Sequence, residues 1–148
     1  MDEKRRLSFD KYKERENAQI SRIFRLKDPN VDVIYITPFV LSADVTRYYA
    51  KILELCEVPD ASERLHLVFP ENTPHFSKHM SLTRCLLYSP KACKQITTLI
   101  ADKQAYIVPG KQSQDEVKLS IVLGVPIFCG DPLKTLMFNQ KSFSKRVF

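Results

Sequence analysis

Apolar residues along this chain recur in two rhythms, short continuous runs and longer stretches spaced three and four apart, and the two alternate. The first helical stretch runs from about Phe9 to Arg25. Ser8 is placed to cap it, and Ile20, Ile23 and Phe24 give it a narrow apolar stripe. Lys27-Asp-Pro-Asn30 ends this segment with turn chemistry, which places it at the domain edge or in a linker. Val31–Ile36 is β-branched and aromatic, is stopped by Thr37-Pro38, and reads as a buried strand. Ser42 then caps a helix whose Val45, Tyr48, Tyr49, Ile52, Leu53 and Cys56 share one face. After the loop Val58–Ser62, Leu65–Phe69 reads as a second strand, stopped by Pro70.

A polar loop, Glu71–Lys78, leads to a short helix over Met80–Leu87. Ser89-Pro90 reads as a cap with proline at the first helical position, followed by a buried face of Cys93, Ile96, Leu99 and Ile100. Ala105–Val108 is the third expected strand, closed by Pro109-Gly110. Ser113-Gln-Asp-Glu116 is a capping box, Gly124 supplies the left-handed position after that helix, and Val125–Cys129 follows as a fourth strand. Gly130-Asp131-Pro132 opens a last helix. Short apolar strands alternating with helices predict an α/β fold: an open parallel sheet of about four strands with helices on both faces. The expected organisation is a mixed-charge helical extension over 1–30, the sheet domain over 31–138, and the start of a further region over 139–148.

A chain of 148 residues with 44% apolar content can bury one core without disulfides. It has no run of about 18 apolar residues, the length a membrane-spanning helix needs. Acidic and basic residues follow Met1-Asp-Glu-Lys-Arg-Arg6 where a signal peptide would need an apolar run. Cys56, Cys85, Cys93 and Cys129 have no C-x-x-C spacing and read as buried, reduced thiols of a cytoplasmic protein.

The net charge of +6 invites a nucleic-acid reading, but cations in the first thirty residues alternate with Asp2, Glu3, Asp10, Glu14, Glu16 and Asp28. That alternation marks a solvated helix and argues against nucleic acid as a partner. Lys134 to Arg146, by contrast, is basic without acidic relief. Lys141, Lys145 and Arg146, interleaved with Phe143 and Phe148, are therefore the candidate phosphate contacts, arginine by its bidentate fork and lysine as a point charge. His75 and His79 would share a helical face and could hold a metal if that segment were helical, but Pro74, the polar loop around it and the lack of a glutamate between them argue against a metal site. His66 lies within a strand and reads as a packing residue. With three glycines in all, the chain lacks both G-x-G-x-x-G and a P-loop, and no serine sits in a G-x-S-x-G context. The ligand crevice of an open parallel sheet lies beyond the strand carboxyl ends, here Thr37-Pro38, Pro70-Glu71, Pro109-Gly110 and Gly130-Asp131.

Four segments in order, Leu86-Leu-Tyr-Ser-Pro-Lys91, Ala105-Tyr-Ile-Val-Pro-Gly110, Leu123-Gly-Val-Pro-Ile127 and Lys141-Ser-Phe-Ser-Lys-Arg-Val-Phe148, resemble the IQ-motif-containing protein H family. The resemblance spans roughly Val31 to Phe148 and implies a Rossmann-like domain that precedes an ATP-grasp fold. On that likeness Arg146, with Lys145 and Lys141, would touch ATP phosphates, and the metal-binding and adenine-binding lobes would lie outside this chain. Phe143 and Pro109 depart from the family pattern.

The implied function is a non-catalytic preceding domain, a fragment whose partner is the remainder of the ATP-grasp region. ATP and Mg would belong to the full-length protein, which could be ligase-like, and this chain alone would need no cofactor. The alternative implied by the likeness is a non-enzymatic scaffold of a ciliary, flagellar or sperm-associated protein. The family name also implies calmodulin as a partner of the full-length protein, although no IQ motif is visible in these residues.

Overall fold

Val33–Ile36 (β1) and Leu65–Val68 (β2) pair in parallel in a computed structural model of the chain, which describes residues 19–138 together with Ser142 and Lys145. Val33 lies opposite Leu65 and Ile36 opposite Val68. Parallel strands need a long crossover, and Ala43–Leu55 (α1) and the single turn Ala61–Arg64 (α2) supply it. A 3₁₀ helix, Ile20–Lys27, precedes β1. After β2 come a 3₁₀ turn, Thr73–His75, then Leu82–Leu87 (α3), Pro90–Ile100 (α4), Gln114–Leu123 (α5) and Pro132–Phe138 (α6). The chain divides into two compact units, Met1–Ile96 and Thr97–Phe148. Among the described residues no helix is long and apolar enough to cross a membrane.

The expected four-stranded open sheet with helices on both faces does not form, so the Rossmann-like reading is corrected: the described sheet has two strands. The segments expected as strands three and four meet only in an isolated parallel bridge between Ile107 and Ile127. Ile107 N–H donates to the Pro126 carbonyl at 2.8 Å, and Phe128 N–H donates to the Ile107 carbonyl at 2.7 Å. Proline explains why pairing stops there. Pro126 has no N–H to give to a ladder, and Pro109 follows immediately on Val108. Tyr106, Val108 and Phe128 are exposed, so these segments are not the doubly covered strands their apolar composition suggested.

Local chemistry sets several helix ends as expected. Ser42 Oγ accepts from Val45 N–H at the start of α1. The box at α5 is complete: Asp115 N–H donates to Ser113 Oγ, and Ser113 N–H donates to Glu116 Oε2. Gly124 closes α5 at φ +67°, a conformation that costs glycine little. Asp131 opens α6, its carboxylate accepting from Lys134 N–H.

The first unit's core gathers Ile23 and Leu26 of the 3₁₀ helix, Leu53 of α1 and Val58, with Ile20, Val33, Cys56, Ala61 and Leu65 packed against it. Ile20–Lys27 is therefore part of the core and not an appendage. Three residues per turn align Ile20, Ile23 and Leu26, whereas the 3.6-residue period that pointed to Phe24 leaves that ring 41% exposed. The expected Ser8 cap and the residues before Gln19 lie outside the described residues. All four cysteines are free. Cys85 is buried and Cys56 and Cys93 are half-buried, but Cys129, expected inside, is exposed because its strand does not form.

Candidate functional site

Parallel strands bring their carboxyl ends to one edge, and in the first unit a cleft of 160 Å³ opens there. Thr37, directly after β1, and Leu67 and Phe69, in and after β2, form one side; Val40, Leu41 and Thr46 come from the loop and first turn of α1. The Thr37 hydroxyl donates to the Val68 carbonyl at 3.4 Å, and its N–H donates to the same carbonyl at 2.9 Å. The Thr46 hydroxyl donates to the Ser42 carbonyl at 3.2 Å. Both hydroxyl protons are thus held by backbone, and the remaining lining is aliphatic and aromatic. Sites for drug-sized ligands run about 300–1,000 Å³. The cleft is roughly half the lower bound and carries no charged side chain to meet a phosphate.

Lys145 is exposed, and Lys141 and Arg146 lie outside the described residues. His75 is exposed at the end of its 3₁₀ turn, and His79 lies in the following loop, so the two imidazoles do not share a helix face. Among the described residues no group of three or more His, Cys, Asp or Glu is arranged to hold a metal. His66 sits in β2 opposite Ile34, as its strand position suggested.

The second strand end holds a feature that residue spacing did not reveal. The expected Ser89 cap of α4 is not made by the serine: Ser89 is fully buried, and its hydroxyl donates to the Cys85 carbonyl at 2.8 Å. The Glu71 carboxylate does the capping from twenty residues away. It accepts from Lys91 N–H at 2.8 Å and from Ala92 N–H at 3.1 Å. Asn72 completes the brace, its Nδ2 donating to the Tyr88 carbonyl at 2.7 Å and its N–H to Ser89 Oγ at 3.3 Å. Burial, and then the Glu71 charge, push the Cys93 thiol up, which keeps it a thiol that donates to the Leu86 carbonyl.

Desolvation pushes the Glu71 carboxyl up. Against it, hydrogen bonds from the N–H groups of Lys91, of Glu71 itself and of Ala92, with the Lys91 charge, hold the group below the usual glutamate range. A carboxylate depressed in the folded state stabilises the fold above its unfolded pKa, and that contribution is lost as pH falls through the folded value. The stability gap between parent and Glu71→Gln is therefore expected to be full at neutral pH and to narrow as acid titrates the carboxyl. Urea unfolding of both proteins across the acidic range reads it; a gap that stays constant would remove this role.

No family model and no solved structure matches the chain. IQ motif-containing protein H of Danio rerio is 36% identical over 155 aligned positions, which cover 97% of this chain and 15% of that protein. The chain thus spans less than a sixth of the relative's length, and nearly all of its own length takes part in the match. The chain belongs to the IQ motif-containing protein H family and corresponds to a segment of that larger relative.

Proposed function

We propose that this chain is a non-enzymatic interaction module of an IQ motif-containing protein H type protein, a unit that works through its surface. The cleft at the strand ends carries the proposal: at 160 Å³, with its hydroxyl protons engaged and no charge in its lining, it suits one apolar side chain better than a nucleotide. Its apolar lip is open, with Phe39 and Val40 both exposed beside it. Part of an ATP-grasp site is the less supported reading, since none of the residues lining the cleft, Thr37, Val40, Leu41, Thr46, Leu67 and Phe69, carries a charge to meet a phosphate. In the longer protein, calmodulin would be engaged by an IQ motif outside these residues, in a cytoplasmic, ciliary or flagellar setting.

A thermal-shift titration of the whole chain with Mg-ATP tests the proposal. The melting temperature is expected to stay constant across the titration. Ligand binding to the folded state raises stability by mass action, about 2.7 kcal/mol at a hundredfold excess over Kd. A saturable rise would therefore overturn the non-enzymatic reading.

A further inference from the structure

Between Glu71 and Asp102 the sequence carries Lys78, Arg84, Lys91 and Lys94, two histidines and no acid. All four of these cations are exposed. The Glu71–Asn72 brace gathers part of this stretch into one surface. It ties the loop after β2 to the junction of α3 and α4, so that the Phe76 ring meets the Tyr88 ring at a centroid distance of 5.9 Å. Tyr88 is 59% exposed despite that contact. Arg84 lies one turn before Tyr88, whose N–H donates to the Arg84 carbonyl, and Lys91 and Lys94 follow on the first two turns of α4.

From this surface we infer a docking site for an acidic peptide segment of a partner protein, with Tyr88 as its aromatic anchor and Arg84, Lys91 and Lys94 as its charged frame. This rests on the interaction-module reading and names the partner's chemistry. Fixed positive charge attracts and orients an acidic partner, and an exposed, rigid aromatic ring adds contact area at low entropic cost. A peptide is favoured over a nucleic acid because the Glu71 carboxylate stands within the basic surface beside Lys91. A continuous phosphate backbone would have to cross that charge, whereas a peptide can space its carboxylates around it. A single exposed ring also gives little of the stacking platform that single strands use.

The test is fluorescence anisotropy of the whole chain against a fluorescein-labelled peptide rich in glutamate and leucine, with labelled oligothymidylate as the second arm. Saturable peptide binding that weakens with added salt is expected, and Arg84→Glu with Lys94→Glu should lower the affinity on the order of tenfold. Lys103→Glu with Lys118→Glu makes the same change in net charge while leaving Arg84, Tyr88, Lys91 and Lys94 intact, and should leave the affinity within about twofold. Far-UV circular dichroism checks folding of each variant, and Tyr88→Ser, which alters no charge, should weaken binding on its own. Absence of saturable peptide binding, equal losses in the two charge-reversed pairs, or tighter binding of oligothymidylate would each overturn the inference. Such a failure with no Mg-ATP response leaves the interaction-module reading standing, whereas a Mg-ATP response removes that reading itself.

Discussion

Arg64→Ala is expected to destabilise the first unit by about 3 kcal/mol, read as a lowered urea midpoint with an unchanged slope. The guanidinium, at the end of α2, is bonded to four backbone carbonyls from three separate places in the chain. Nη1 donates to Asp28 at 2.8 Å and Val31 at 3.0 Å, and Nη2 donates to Leu26 at 2.8 Å and Pro59 at 2.5 Å. It thereby ties the end of the 3₁₀ helix and the approach to β1 against the turn that leads into β2. A hydrogen bond to a charged group contributes about 1.5–3 kcal/mol when its partner cannot turn to water. The bonds to Asp28 and Pro59 are exposed, so water replaces the lost donor there at small cost. Those to Val31 and Leu26 are partly buried, and they set the estimate. Arg64→Lys should recover less than half of the loss, because one ammonium lacks the planar fork that reaches carbonyls on two sides. Full rescue by lysine would show that charge alone, and not the fork, holds this junction.

What could be read in advance followed the range of the interactions involved. The Ser42 cap, the Ser113–Glu116 box and the Gly124 stop join residues within about a turn of one another, so their chemistry is written in adjacent letters. The apolar face of α1 was legible for the same reason, although Tyr48, assigned to it, is 63% exposed. Where pairing depended on distant segments, local reading failed. Ala105–Val108 and Val125–Cys129 have the composition of strands, yet Pro109 and Pro126 restrict them to a single bridge.

Long-range side-chain contacts were the least visible. Ser89 has the local grammar of a cap, but a carboxylate brought in by β2 takes the position, and nothing in the spacing of Glu71 and Lys91 announces it. Arg64 is equally silent in sequence, one arginine among many until four carbonyls converge on it. As for the candidate site, the strand-end rule pointed to Thr37 and to the vicinity of Pro70, and the cleft lies between Thr37 and Phe69. The basic tail is conspicuous in sequence because no acidic residue interrupts its cations from Lys134 to Arg146. The surface around Tyr88 is silent in sequence because its cations are spread over two helices, and the acid-free stretch becomes a surface only with the brace that folds it.

Leu53→Ala should cost about 3 kcal/mol, while Leu55→Ala, two residues later on the same helix, should stay within about 0.5 kcal/mol. Leu53 is 1% exposed at the centre of the cluster formed with Ile23, Leu26 and Val58, whereas Leu55 is 73% exposed. Truncating a buried leucine removes its transfer free energy and leaves a cavity that neighbours only partly fill. Collapse is restricted on each side here. Ile23 and Leu26 are held by the 3₁₀ helix, and Val58 is held by its N–H donating to the Leu53 carbonyl at 3.1 Å. Helix propensity works slightly the other way in both variants, since alanine is the better helix former, and so it cancels in the comparison. Urea unfolding of the two variants side by side therefore isolates packing from propensity. Equal losses would mean that α1 contributes as a helix alone, and that the apolar stripe joining it to Ile20–Lys27 does not hold the unit together.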